Sequence, residues 1–341
     1  MKYYQFITRS ITVFVISFLV YGSSYVAAQD KLPAEKAGTI SKPTGDVAFI
    51  RDGHIWVYHI SSNTVEIISE MANNNAVGRL SWSPDGKQIM FTRSGLVDYS
   101  GTADDGGKHK LYDLFVAYLD SVSNGNRKFW RRLTFDFGSR DPEWSADGKT
   151  ILFWNDKNAS LIDPVFPNYQ LITMNPDGDY PNILRKDWQI MEDVFMVSPS
   201  MNSNNVIACV LFFDFKPQGM VVFPKSEVMM SIDSLKAMAT KNRDKIAPSW
   251  SPDNKWIVYT KNKIDDAGLY IVSGDLKETY KVFTPPVSTY INTAAPASFS
   301  PDSKHLTFAT TDGSIWIVNI TGIGARRLTP PGLDGSPVWS K

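Results

Sequence analysis

Leu80-Ser-Trp-Ser-Pro-Asp-Gly-Lys-Gln-Ile-Met-Phe91 decides the fold, because it returns three more times along the chain. The copies are Pro142-Glu-Trp-Ser-Ala-Asp-Gly-Lys-Thr-Ile-Leu-Phe153, Pro248-Ser-Trp-Ser-Pro-Asp-Asn-Lys-Trp-Ile-Val-Tyr259 and Ala297-Ser-Phe-Ser-Pro-Asp-Ser-Lys-His-Leu-Thr-Phe308. Self-similarity at a roughly regular period marks a repeat architecture. Each copy reads as a short strand bearing an aromatic, a tight turn, and a second strand with period-two alternation, which is a β-hairpin. Pro84, Pro252 and Pro301 set φ for the turn, the following Asp can accept from nearby backbone N–H groups, and Gly86 or Gly148 tolerates positive φ.

Two further strands follow each hairpin, as in 111–120 and 128–134, or 268–273 and 280–284. Four strands per repeat with turn residues between them make a propeller blade, and the period-two alternation excludes a helical solenoid. Trp144 and Trp250 stand two repeats apart, and Phe195–Cys209 fits between them as a degenerate copy. Ser336-Pro-Val-Trp-Ser340 is a first strand with nothing after it, whereas Gly45–Ile60 has everything except that strand. The two halves are expected to complete one blade, closing the ring and leaving no sheet edge unpaired. The fold class is therefore all-β: a six-bladed β-propeller of four strands per blade. Trp82, Trp144, Trp250, Phe299 and Trp339 occupy equivalent positions and are expected to pack between blades.

The repeated W-S-P-D-G-K-x-I-x-F pattern resembles the TolB-like propellers, also called WD40-like or PD40 repeats, over residues 45–341. That family includes envelope scaffolds, propellers attached to peptidases, and sugar lyases, so the resemblance implies a fold and leaves the function open. TolB itself has an additional N-terminal α/β domain; here residues 29–44, with Lys31, Pro33, Lys42 and Pro43, read as a linker. The chain is also similar in size and export to the haem-free β-propeller subunit of hydrazine synthase, whose haems sit on partner subunits. That likeness implies haem-bearing enzyme subunits as partners and an anammoxosome location.

Lys2 and Arg9, the apolar stretch Ile11–Val20 and the small residues ending at Ala28 have the three-part layout of a secretory signal peptide. Residues 1–28 are expected to be removed, giving an exported protein in the periplasm or an equivalent compartment with no membrane span after cleavage. The 35 basic and 35 acidic residues balance, so no nucleic-acid-binding surface is implied; the cluster Arg127, Lys128, Arg131 and Arg132 reads as a charged edge strand. Cys209 is the single cysteine, which excludes an internal disulfide and a C-x-x-C-H haem attachment, and its apolar neighbours predict a buried thiol.

No catalytic constellation is assembled by the sequence. There is no G-x-S-x-G nucleophile elbow, and His54, His59, His109 and His305 stand in unrelated contexts. No cofactor is expected. Asp98, Asp104 and Asp105 in a Gly-rich loop are the one calcium candidate, although their spacing matches no EF-hand.

The informative irregularity is loop length. Loops joining second to third strands, and loops joining blades, emerge on one face because consecutive strands are antiparallel. There the chain places 95–110, 135–141, 157–168, 186–193, 231–245 and 285–295. Long loops in compact domains are often functional. These carry Tyr99, His109, Phe137, Phe166, Trp188, Met191, Arg243, Asp244 and Tyr290, types enriched at interfaces or flanking them, and mark a docking face for an exported protein partner. Ser231–Lys241 has helical spacing, with Ile232, Leu235 and Met238 on one side and Ser231 as N-cap. Three functions follow from these residues: a non-catalytic scaffold subunit, a TolB-like envelope protein holding a lipoprotein or peptide, or a propeller lyase.

Overall fold

The computed structural model describes residues 42–68, 76–98, 108–119, 130–159, 169–186, 194–213 and 216–340. The expected leader lies outside them, as does most of the expected linker. The first blade begins with β1 (Asp46–Arg51), β2 (His54–His59) and β3 (Thr64–Ile67). The second holds β4 (Ala76–Trp82), β5 (Gln88–Asp98), β6 (Lys108–Tyr118) and β7 (Trp130–Arg132). The third holds β8 (Ser139–Trp144), β9 (Ile151–Asp156), β10 (Tyr169–Met174) and β11 (Asn182–Lys186). The fourth has β12 (Val194–Met201), β13 (Val206–Phe213) and β14 (Lys216–Pro224), followed by helix α1 (Ile232–Lys241).

The fifth comprises β15 (Ile246–Trp250), β16 (Trp256–Lys261), β17 (Gly268–Ser273) and β18 (Thr279–Phe283). The sixth comprises β19 (Ser298–Phe299), β20 (His305–Ala309), β21 (Ile315–Asn319) and β22 (Arg326–Arg327). Finally β23 (Asp334–Trp339) pairs antiparallel with β1, so the first blade has the order β23-β1-β2-β3. The first strands touch in a circle, β23 to β4 to β8 to β12 to β15 to β19 and back to β23. The molecule is a six-bladed β-propeller whose ring is closed by its C-terminal strand.

The turn chemistry explains why the hairpins recur. In Ser83–Gln88 the Ser83 hydroxyl donates to Asp85 at 2.6 Å and accepts from the Gln88 amide at 2.9 Å, while Asp85 accepts from the Lys87 amide at 3.1 Å. The same bonds tie Ser145–Thr150, Ser251–Trp256 and Ser300–His305. Asp is required because its carboxylate accepts from the orphan amides of the turn.

The degenerate copy solves the same problem differently. Asn202 stands where the other copies have Ser, and its side-chain oxygen accepts from the amides of Asn204 and Val206 at 3.0 and 2.9 Å. Met201, 6% exposed, fills the place of the aromatic.

Core packing lies between blades rather than within them. Six apolar clusters each join residues of two adjacent blades. Trp82, Trp144, Trp250, Phe299 and Trp339 are all buried, as the sequence predicts, and so is the Cys209 thiol, which forms no disulfide. Neighbouring first strands are also latched: the amides of Trp144, Trp250 and Trp339 donate to the hydroxyls of Ser81, Ser200 and Ser298 at 3.0 to 3.1 Å.

The expectation of four strands in every blade needs one correction. The fourth sheet has three strands among the described residues, and α1 runs back along β14 in the direction a fourth strand would take. Ser231 caps the helix by accepting from the Ser234 amide at 3.2 Å, and Leu235 and Ala239 are fully buried against the blade. Outward amides of β14 meet the helix instead of water: Met220 donates to the Asn242 carbonyl at 3.3 Å and Val222 to the Met238 sulfur at 3.0 Å. Gly219 permits this approach, since a Cβ there would stand 2.5 Å from the Ala239 carbonyl oxygen. The helix thus protects a sheet edge.

Candidate functional site

Two surfaces are built by this ring: an axial cavity opening among the hairpin turns, and the opposite face, where the interblade connections emerge. The cavity holds about 340 Å³ and is walled by the rings of Trp82, Trp250, Phe299 and Trp339 with serines between them. Its charged members reach the wall through a repeated irregularity. Every first strand except β19 has a positive-φ residue three or four places before its aromatic, or before Met201 in β12: Gly78 at +68°, Asp141 at +50°, Ser198 at +51°, Ala247 at +51° and Ser336 at +52°. The pairing register shifts at each of these places, so they are bulges, which re-aim side chains.

The bulges bring Arg79 and Glu143 into the cavity wall, where Arg79 Nη1 lies 3.0 Å from Glu143 Oε2. Arg79 also donates to the Pro199 carbonyl at 2.6 Å. Ser200 donates to Glu143 Oε1 at 3.0 Å. Asp141 accepts from the Arg79 amide and from the Trp154 indole, both at 3.0 Å. One polar chain therefore crosses the second, third and fourth blades. Opposite charges cancel inside the wall, which leaves a cavity lined mainly by aromatic residues and serines.

First strands run toward the turns, so connections between blades and loops joining second to third strands lie on the far face, as expected. Of the residues singled out there, Tyr99, Phe166, Trp188 and Met191 fall outside the described residues, as do Asp104 and Asp105 of the calcium candidate. Asp98 and His109 lie on the paired strands β5 and β6, opposite Lys108 and Val97.

Phe137 is half-buried at φ +63°; its amide donates to Asp113 at 3.2 Å, its carbonyl accepts from Tyr112 at 2.8 Å, and Arg132 lies 5.1 Å from its ring centroid. Burial pushes the Asp113 carboxyl up, and the Arg132 guanidinium at 2.6 Å opposes that. Arg243 and Asp244 are exposed in the turn after α1. Tyr290, 39% exposed, accepts at its carbonyl from the Thr311 amide at 2.9 Å and donates its amide to the Thr311 hydroxyl at 3.0 Å. These four share a face but sit on three different connections, so they form no single cluster.

The same face carries five exposed apolar side chains that sequence reasoning passed over. Phe135 follows β7, Phe213 ends β13, Ile264 lies between β16 and β17, Val287 between β18 and β19, and Leu333 before β23. With Tyr290 they account for six of the eleven exposed large hydrophobics among the described residues. Their signal in sequence was an apolar residue in a connection, where strand alternation offers it no place in the core.

No family model matches the chain. Dipeptidyl-aminopeptidase B of Ajellomyces capsulatus is 22% identical over 239 residues, covering 67% of this chain and 23% of that protein. The same enzyme of Paracoccidioides brasiliensis is 25% identical over 239 residues with the same coverage. The chain thus spans about a quarter of the length of the curated relatives it matches. Among solved structures, TolB from Acinetobacter baumannii superimposes with a TM-score of 0.59 at 14% identity, over 87% of this chain and 66% of that one. This is the fold of the TolB-like propellers. A second structure, assigned to TolB from Agrobacterium tumefaciens, gives a TM-score of 0.55 at 13% identity, over 85% of this chain and 90% of that one. In this ring α1 stands where a fourth strand would lie, and Arg79 pairs with Glu143 in the cavity wall. Among the described residues no helix is long and apolar enough to cross a membrane, and no group of three His, Cys, Asp or Glu could hold a metal ion.

Proposed function

We propose that this chain is an exported, non-catalytic propeller that docks another exported protein through its interblade face. The observation that carries this reading is the exposed apolar set on that face, from Phe135 through Phe213, Ile264, Val287 and Tyr290 to Leu333. Side chains such as Val287 at 96% exposed and Ile264 at 85% are left in water by the isolated ring, and burying them against a partner is favourable. A haem-bearing enzyme subunit is the partner class that the sequence likeness suggests. The test is purification of the processed protein from its native source at moderate salt, with mass spectrometry and a visible spectrum. Recovery with one exported protein in fixed stoichiometry, lost in a Phe135→Ser/Val287→Ser/Leu333→Ser variant, supports the reading; a monomer in every preparation overturns it.

The axial cavity favours a second reading, in which a peptide segment of an envelope protein enters among the hairpin turns. Its volume of about 340 Å³ lies in the range of ligand sites. Loss of a bound peptide in a Trp250→Ala variant with the interblade face intact would select this reading over the first.

A further inference from the structure

We infer that the corner of the fifth blade at the interblade face is a binding site for an oxyanion, a carboxylate or a phosphate, formed by Lys245, Lys261 and Lys281. Strand register puts these lysines together. Ile246 pairs with Thr260, so the preceding residue, Lys245, stands opposite Lys261. Tyr259 pairs with Tyr270, and Tyr270 with Lys281. Alternation along β16 places Tyr259 and Lys261 on one face, and the pairings place the other three there as well.

The side chains converge as that register requires. The Tyr259 and Tyr270 rings stack with centroids 5.5 Å apart and planes 15° from parallel. Lys245 Nζ lies 5.2 Å from the Tyr259 centroid, and Lys261 and Lys281 Nζ lie 4.7 and 5.4 Å from that of Tyr270. Against three ammonium groups, the ion pairs among the described residues bring one carboxylate: Asp266 is 2.8 Å from Lys261 and 3.8 Å from Lys281, and it also accepts from the Tyr270 hydroxyl. Lys245 donates to the Asn242 side-chain oxygen at 3.1 Å, a neutral partner.

Like charges directly opposite one another on a sheet are destabilising, and partial burial adds to that cost. Burial first, and Lys261 second, hold the Lys245 ammonium below the usual lysine range. The lysines remain reachable, since the Lys261 and Lys281 side chains are 23% and 18% exposed. Tyrosine faces anchor the ammonium groups, and each ammonium carries three donors, more than its present partners take up. An oxyanion set among them would neutralise the excess and accept those hydrogens.

The site is tested with small anions and so stands apart from the docking reading. The processed protein, with lysine side chains labelled at Cε, is titrated with inorganic phosphate and separately with succinate while the lysine signals are followed by NMR. Saturable shifts of Lys245, Lys261 and Lys281 with a common affinity are expected; saturation by phosphate alone assigns a phosphate ligand, and by succinate alone a carboxylate. Lys245→Gln should weaken binding at least about tenfold, roughly 1.4 kcal/mol, without lowering the melting temperature. Lys245→Arg should retain binding, which separates lost charge from lost fold. Absence of saturation by either anion, or equal affinity in Lys245→Gln, overturns the site.

Discussion

The Trp339 indole donates its Nε1 hydrogen to the Thr44 carbonyl at 2.8 Å, joining residues 295 positions apart. Next to it, the Asp46 amide donates to the Ser340 hydroxyl at 2.9 Å. Closure of the ring thus rests on the 1%-exposed Trp339, the Arg51–Asp334 ion pair at 2.6 Å and a short ladder between β23 and β1.

Trp339→Ala should cost about 3–5 kcal/mol, the range for emptying a buried tryptophan site. Deleting residues 335–341 should lower the melting temperature further, because the inner edge of β1 is then left unpaired. Thermal and chemical denaturation of both variants measure this, and a melting temperature for the deletion equal to that of the intact chain would refute strand-mediated closure.

Arg79→Met should destabilise by about 3–5 kcal/mol, since it leaves Glu143 charged and largely buried without its cation. Arg79→Met combined with Glu143→Leu should recover most of that loss. A double-mutant cycle in denaturant gives the coupling directly, and additive losses would show that the two groups act independently.

Gly78→Ala should cost about 2 kcal/mol or more, because φ is +68° and a Cβ would stand 2.5 Å from Asp141 Oδ1. Ala247→Gly, at φ +51° in the equivalent bulge of β15, should instead leave stability unchanged or raise it by about 1 kcal/mol. Opposite signs for the two substitutions are the signature of backbone strain, read from the two denaturation midpoints.

A pH dependence follows from His59. Burial opposes its protonation, but Asp46 at 3.0 Å and Glu66 at 3.3 Å outweigh that and raise its pKa above the ordinary value. A raised folded pKa contributes stability that is fully present below the unfolded value of about 6.5 and lost as pH rises through the folded one. The melting temperature should therefore fall between about pH 6 and pH 8 by more in the intact chain than in His59→Gln. Equal slopes would mean that this histidine does not sense folding.

Blade number and closure were legible because Ser-Pro-Asp-Gly turns are local chemistry, and because Ser336–Ser340 supplies the first strand that the Gly45–Ile60 repeat is missing. The fourth blade was harder to read. Ser198-Pro199 imitates the start of the turn but lies in the bulge of β12, while Asn202 holds the turn itself. Helical spacing in 231–241 was visible, yet its role in covering β14 depends on Gly219, whose meaning appears only when the helix is in place.

The candidate sites were less legible. Arg79 and Glu143 precede the aromatics of successive repeats, but the bulges that aim them at one another leave no compositional trace. The lysine corner is likewise invisible without register, because Lys245, Lys261 and Lys281 look like ordinary strand-end charges until Tyr259 and Tyr270 are paired. Loop composition singles out Phe137 and Tyr290 but not Phe135 or Leu333, because single apolar residues in connections are common.

The position of β23 also orders events during synthesis. A chain emerging from its N-terminus presents β1 long before its inner neighbour exists, and five other sheets are made in between. Until residues 334–339 leave the ribosome, the first blade stays an incomplete sheet with an open hydrogen-bonding edge, the kind of surface that recruits other chains. Completion of the ring therefore waits on synthesis of β23, and a product truncated before it is marked by an exposed strand where the closed ring has a seam.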